Sequence, residues 1–345
     1  MINDEAAALM AKINKQYGPG AVLLASQMRL ARRYPTGSLS LDVALGGGWP
    51  ANSWTEVIGH ESSGKTSLLL KSIAANQRDD PDFTVLWVAA EHFDTDWATR
   101  LGVDNERVIR HSTTAMEEAY EVMLAFAASR TVDAIVLDSY PALVPDDEAA
   151  KSIDETTVAI GARLTNKFFR KAGSATRRSH LEDERPIVGI FLNQWRSAIG
   201  AFSPNGTPKT TGGGAGKNYA AVARLEVSRA EYIDEARPGK GKARVGQVVK
   251  LRTLKNKTFP PHKVATFDFY FDDAPHLGFK AGDIDVVKEA ITIGVLLDVI
   301  GRSGTGFLLG ETRYRSRDLM VEALRENRAL LDGLIKDIHT HSENP

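Results

Sequence analysis

The eight residues from Gly59 to Thr66, GHESSGKT, constrain the fold more than any other stretch of this chain. They match G-x-x-x-x-G-K-[S/T] and lie between the apolar run WTEVI and the helical pattern SLLLKSIAANQ, the strand, loop and helix setting that such a motif needs. There the glycines let backbone N–H groups converge on phosphate oxygens, and the helix N-terminus adds partial positive charge. Gly59, Glu61, Ser62, Ser63, Gly64, Lys65, Thr66 and Ser67 are therefore candidate nucleotide-binding residues. Lys65 reaches the terminal phosphates, and Thr66 is a candidate Mg²⁺ ligand. The bland alternative, a chance Gly-Ser turn, does not account for the flanking pattern.

Around this loop, short apolar runs alternate with helical patterns, which predicts an α/β fold with a mostly parallel sheet covered on both faces. Strands are expected at 55–58, 84–89, 134–137 and 187–193, and further runs at 221–228, 246–253 and 266–271 suggest an antiparallel extension of the same sheet. Residues 3–17 read as an amphipathic helix with Ala6, Leu9, Met10 and Ile13 on one stripe, stopped by YGPG. Either it folds back on its own domain or it is an arm that docks on a neighbouring subunit. The expected division is an N-terminal helix and linker at 1–35, an ATPase core at 36–273 and a small C-terminal α+β domain at 274–345.

At 345 residues, 43% hydrophobic and 25% charged, the chain has ample material for a large core. The formal net charge of −1 leaves the choice of partner to local patterning. No cysteine is present, which excludes disulfides, thiol catalysis and cysteine-ligated metals and is compatible with a reducing cytoplasm. The N-terminus lacks a signal peptide's apolar run, and no stretch approaches the roughly 20 apolar residues that span a bilayer. A cytoplasmic protein without a membrane partner is expected.

The run VDAIVLDSY ends in Asp138, where the carboxyl end of a strand places the second carboxylate beside a hydrated Mg²⁺. Hydrolysis also needs a group that positions or deprotonates water. Glu91, just after the strand in LWVAAEHFD, is the candidate; the plain alternative is a solvated strand-end acid. His92 reads as a bystander. Trp97 is either a base-stacking ring or a core residue. In PIVGIFLNQW the strand ends in Asn193 and Gln194, and Gln194 is placed to hydrogen-bond a γ-phosphate and report on it.

After Gln194 comes a long Gly-, Ser-, Thr- and Pro-rich segment that includes Arg196, Lys209 and Lys217. Segments this long are functional or mobile in compact domains. Upstream, Arg163, Lys167, Arg170 and Lys171 share a helical face, with Arg177 and Arg178 beyond; this is a solvated face or a phosphate-backbone track. The stretch ARPGKGKAR at 236–244 reads as a solvated hairpin turn. A second glycine cluster, TTGGGAGKN at 210–218, is not another ATP loop, because Thr211 stands at the required glycine and Asn218 at the required Ser or Thr.

With ESSGKT, AEH, VLDS, NQ and TTGG in this order, the sequence resembles the RecA family of DNA recombinases. INKQYGPG, PTGSLSLDVALGGG and LKNK at 254–257 extend the likeness over nearly the whole chain. The resemblance implies a DNA-dependent ATPase that forms helical homo-oligomeric filaments on single-stranded DNA. It pairs that strand with double-stranded DNA and exchanges strands, with ATP and Mg²⁺ as cofactors. It further implies that Asp94 and Trp97 meet the adenine, and that Lys255 and Lys257 reach the ATP of the adjacent subunit. The N-terminal helix becomes the polymerisation arm. Two DNA loops map to about 151–159 and 195–213, with DNA contacts from Val158, Arg163, Arg170, Arg196, Ile199, Thr210, Thr211, Gly212 and Gly213. The glycines of the second loop allow close backbone approach to phosphates, without reading base sequence.

Several positions depart from the family pattern. Asn218 replaces an aromatic residue, the second loop is about one residue longer, Ala89 stands where a carboxylate is common, and HTHSENP is no acidic tail. These features fit a divergent member, such as a phage-encoded one. A RecA-fold ring helicase or regulatory ATPase without strand exchange shares the phosphate loop and Asp138, but TTGG and the lysine pair argue against it. A small-molecule kinase needs an acceptor pocket and lid arginines that the sequence does not reveal, and a purely structural module leaves Glu91 idle.

Overall fold

The computed structural model describes residues 2–27, 32–152, 154–155, 159–176, 185–197, 209–239 and 241–343. Its centre is an eight-stranded sheet built from β1 (Ser53–Gly59), β2 (Val85–Ala89), β3 (Val108–Ser112), β4 (Ala134–Asp138), β5 (Val188–Asn193), β8 (Ala223–Arg237), β9 (Gly241–Asn256) and β10 (Val264–Tyr270). Two short strands, β6 (Trp195–Ser197) and β7 (Lys209–Thr211), form a separate hairpin. Across the main sheet the order is β10-β9-β8-β1-β5-β4-β2-β3. The β1, β2, β3, β4, β5 and β8 pairings are parallel, and β8, β9 and β10 pair antiparallel. The mostly parallel sheet and its antiparallel extension therefore both appear as predicted.

The strands β1, β2, β4 and β5 are buried along their whole length because both faces are covered. Alternate residues divide between two cores. Val57, Val85, Trp87 and Val136 pack with α3 (Lys65–Asp79), whereas Trp54, Leu86, Val88 and Leu137 pack with α5 (Met116–Ser129) and α6 (Ile160–Thr176). The strand β3 was not predicted. It is the sheet edge, and Ile109, Arg110 and Ser112 are exposed there, so no apolar run announces it. Both β8 and β9 outrun the predicted segments because residues 229–237 pair only with β9 and residues 241–244 only with β8, and both stretches are largely polar. That ribbon closes with Arg237 opposite Gly241, within 236–244 where the sequence pattern indicated a hairpin turn.

The helix α1 (Asp4–Tyr17) is capped by Asn3, whose side chain accepts from the Ala6 amide at 2.8 Å, yet none of its residues is buried. The fold-back alternative for its apolar stripe is not what the structure contains. A third core joins α8 (Val286–Leu296), α9 (Arg317–Glu326) and α10 (Arg328–Glu343) to Leu39 and Val43 of α2 (Leu39–Leu45). A three-stranded sheet, Gly301–Ser303, Gly306–Leu309 and Thr312–Tyr314, completes this C-terminal α+β region. Two short helices, α4 (Thr95–Arg100) and α7 (Gly214–Ala220), follow β2 and β7. Among the described residues no helix is long and apolar enough to cross a membrane.

Candidate nucleotide site and the loop arms beside it

The phosphate loop leaves the carboxyl end of β1 and delivers the chain into α3. Gly59 tolerates no side chain: a Cβ there would lie 2.5 Å from both the Ser63 Oγ and the Val227 carbonyl oxygen. Gly64 stands at the N-cap of α3 with no side-chain cap, which leaves the first-turn amides to an outside acceptor. Lys65 donates to the carbonyls of Gly59 at 3.2 Å and His60 at 2.8 Å. Burial draws its pKa below the ordinary lysine range, opposed by Asp138, Glu91 and Glu61.

Asp138 closes β4 at 5% exposure and accepts from Thr66 Oγ1 at 3.0 Å. Burial pushes this carboxyl up to about 6, against the Thr66 hydrogen bond, and Glu91 adds to the rise while Lys65 opposes it. Ser63 Oγ is also buried and has no hydrogen-bond partner among the described residues. A carboxyl short of positive charge, a hydroxyl beside it and an orphaned serine next to open amides are the donor set that Mg²⁺ and nucleotide phosphates require. Glu91 follows directly: its amide donates to the Asp138 carbonyl at 3.0 Å, and its Oε1 accepts from Ser139 Oγ.

These groups line one cavity of about 500 Å³ together with Glu61, Ser62, Gly64 and Ser67. Gln194 faces it from the end of β5, its amide donating to Asn193 Oδ1 at 2.9 Å. Trp97 lines the cavity too, with its indole N–H 3.4 Å from Ser67 Oγ and its ring edge-on to Phe269 at 6.4 Å. It is thus both a wall of the cavity and a neighbour of the core. Asp94 is not part of the lining; it is the exposed N-cap of α4, accepting from the Trp97 amide at 2.9 Å. His92 is exposed and outside the lining.

The opposite wall was not foreseen. It consists of Arg229, Tyr232, Arg244, Gln247, Phe269 and Phe271, brought there by the β8–β9 ribbon and β10. The Tyr232 ring lies between the Arg229 and Arg244 guanidiniums, at 4.1 and 3.6 Å. Only strand register reveals this wall, because Gln247 pairs with Tyr232 on one side and Phe269 on the other.

The segment after Gln194 begins and ends as the β6–β7 hairpin, with Arg196 opposite Thr210 and Trp195 opposite Thr211. Arg196 and Thr210 are exposed. Ile199 lies outside the described residues, as do Val158, Arg177 and Arg178. On α6, Arg163, Lys167, Arg170 and Lys171 are exposed while Phe168 and Phe169 are buried, so the basic face is real. Arg163 and Arg170 border a groove shared with Tyr219 of α7.

The TTGGG cluster packs closely on its own protein. Its glycines face inward: a Cβ at Gly212 would lie 2.7 Å from the Tyr140 ring, and at Gly213 2.8 Å from the Lys217 side chain. Gly213 then caps α7 with φ of 92°, so the second half of TTGGGAGKN is a packed helix that begins directly after the 195–213 segment. Close packing against α6 and Tyr140 is what demands small residues here. Asn218 turns inward as well, its Oδ1 accepting from Lys217 Nζ at 2.8 Å. Lys255 and Lys257 stand away from this protomer's cavity. Both donate to carbonyls at the end of α7, Lys255 to Asn218 and Ala221 at 2.5 Å each and Lys257 to Tyr219 at 3.1 Å. Burial and the neighbouring Lys257 and Arg224 bring the Lys255 pKa down to about 8.

The model of the RecA N-terminal domain family matches residues 4–275. Protein RecA of Roseiflexus castenholzii is 34% identical over 342 residues, covering 97% of this chain and 90% of that protein. Protein RecA of Bacillus licheniformis is 32% identical, with 99% and 93% covered, and that of Chloroflexus aurantiacus 35% identical, with 95% and 88% covered. The motifs, the sheet order and these similarities agree: the chain belongs to the RecA family, and it is a recombinase whose chemistry is DNA-dependent ATP hydrolysis.

Proposed function

We propose that the cavity between the phosphate loop and the β8–β9 ribbon is the ATPase centre, and that Gln194 and the hairpin after it couple this centre to DNA. The observation that carries this reading is the convergence of Lys65, Thr66, Asp138, Glu91 and Gln194 on one cavity from four different strand ends. Gly59 shapes the loop; Glu61, Ser62, Ser63, Gly64 and Ser67 surround the phosphates, and Lys65 neutralises their charge. Thr66 and Asp138 hold Mg²⁺. When bound, the metal and the nucleotide supply a polarised γ-phosphate. Glu91, oriented by the Ser139 hydroxyl, takes the proton from the attacking water. Trp97, held by Asp94 at the α4 cap, forms the base side of the cavity with Phe269 and Phe271.

DNA is bound through Arg196, Thr210 and Thr211 on the hairpin and through Arg163 and Arg170 on α6; Val158 and Ile199, outside the described residues, are further candidates for DNA contact. Gly212 and Gly213 contribute by seating the hairpin on Tyr140. Contacts of this kind go to phosphates, so binding is independent of sequence and falls with salt. The exposed α1 arm docks on the next copy, and Lys255 and Lys257 reach that copy's nucleotide, which makes the assembly a filament; its place of action is the cytoplasm. ATP turnover measured with and without single-stranded DNA, alongside electron microscopy, tests the reading. Stimulated turnover on helical filaments is expected; unstimulated turnover by closed rings would sink it in favour of the ring-helicase alternative.

A further inference from the structure

Resting on the assignment of Gln194 as the link between nucleotide and DNA, we infer that Glu56 is a positioning residue of the DNA-stimulated ATPase. Its carboxylate ties both arms of the segment after Gln194 to the strand that carries the phosphate loop.

Glu56 lies on β1 three residues before Gly59, in register with Phe191 of β5 and Arg224 of β8. Its side chain is fully buried and fully engaged. Oε1 accepts from Lys217 Nζ at 2.7 Å and Asn193 Nδ2 at 2.8 Å, and Oε2 accepts from Arg224 Nε at 2.5 Å. Each partner then reaches one arm. Asn193 donates again to the Gly212 carbonyl at 3.2 Å and accepts the Gln194 amide at 2.9 Å. Lys217, equally buried, gives its remaining protons to Thr211 Oγ1 at 2.6 Å and Asn218 Oδ1 at 2.8 Å. The outgoing residue Gln194 and the returning residues Thr211 and Gly212 therefore meet on one carboxylate.

A buried ion cluster gives no advantage in stability over a well-packed apolar side chain. What it adds is geometry, because each donor has one place to go. A second tie runs in parallel, where Lys209 Nζ of β7 lies 3.3 Å from His60 Nε2 of the phosphate loop. Displacement of the hairpin by DNA is thus passed to β1 and to Asn193, which sets where Gln194 stands in the cavity.

Glu56→Gln keeps the shape but turns an amide N–H toward Arg224. On the full chain, three quantities are to be compared with the parent: affinity for a fluorescent ATP analogue, turnover without DNA, and the kcat and KM for ATP with single-stranded DNA. Analogue affinity, DNA-free turnover and KM are expected within about twofold of the parent, while DNA-stimulated kcat falls about 10- to 100-fold, the scale on which misplacement of reacting groups costs rate. Equal losses in all three, or none, would overturn the role. If the single variant fails to fold, Glu56→Gln/Arg224→Gln removes the opposed donors; stimulation that returns with folding counts against the inference, and stimulation still missing from a folded, ATP-binding chain supports it. Gln194→Ala separates the two layers. If it retains stimulation, the assignment of Gln194 has failed and the inference with it; if it loses stimulation and Glu56→Gln does not, only the inference has failed.

Discussion

Glu56 and Glu289 are 0% and 3% exposed, yet their surroundings balance them in opposite ways. Glu56 faces two cations, Lys217 and Arg224. Glu289, on α8, faces none of either kind within hydrogen-bond reach: its Oε1 accepts from Ser38 Oγ at 2.6 Å, Ser40 Oγ at 2.9 Å and the Ser40 amide at 3.2 Å, and its Oε2 has no partner among the described residues. Burial pushes the Glu289 carboxyl up to about 7, with those hydrogen bonds opposing. Asp42, buried nearby on α2, is likewise raised to about 7 by burial. The first glutamate is answered by two cations beside the nucleotide site, where Asn193, Lys217 and Arg224 share one fixed anchor. The second joins α8 to the start of α2, where packing alone suffices and a proton can serve as the counter-charge.

The largest break in this contrast is Lys217→Met, which leaves Glu56 buried with one cation fewer. Chemical denaturation is expected to show a loss of about 3–5 kcal/mol, the range for breaking a buried pair from one side. Adding Glu56→Gln to it should recover much of that loss. Glu91 sharpens the comparison from the solvent side, since it is exposed and its side-chain partner among the described residues is a hydroxyl. Glu91→Gln should cost turnover roughly 10²-fold or more, the scale of general-base loss. Its unfolding free energy should stay within about 0.5 kcal/mol of the parent, as for other surface changes.

For Glu289 the sign is fixed by the raised folded-state pKa. The neutral acid is favoured in the folded chain, so its stabilisation is complete below about pH 4.5 and is lost as the pH rises toward 7. Glu289→Gln should remove up to one proton's worth of this slope, about 1.4 kcal/mol per pH unit, in melting curves taken across that window. An unchanged slope would leave the dependence to the other raised carboxyls, Asp42 and Asp138. The smallest effect belongs to Arg196, an exposed cation on β6. Arg196→Ala should weaken DNA binding evenly across sequences and reduce the salt slope by about 1, readable by fluorescence anisotropy at several salt concentrations.

The parts of this molecule that could be read in advance are those whose cause is local. GHESSGKT specifies its own turn, and the apolar runs around Asp138 and Asn193 announce strands buried on both faces. From these follow the α/β class, the order of elements and the placing of Lys65, Thr66, Asp138, Glu91 and Gln194 at strand ends. The edge strand β3 and the polar ribbon of β8 and β9 could not be read this way, because exposed strands carry no apolar signal. The packing of the TTGGG glycines could not be read for a related reason: a glycine can be small for a ligand or small for a neighbouring ring, and the ring of Tyr140 is placed there only by the tertiary structure.

Glu56 sits in WTEVI as the single charge in an apolar strand, and by itself the sequence determined that this charge is buried if the strand is central. Which cations answer it was left to the tertiary structure. Lys217 is 161 residues away and Arg224 168, and only the pairing of β8 with β1 and the packing of α7 on α6 bring them within 2.7 Å. Hydrophobic periodicity acts over neighbouring residues and fixes which elements form. Charge pairing in a low-dielectric interior acts at a few ångströms in space, so it is settled only when those elements have packed.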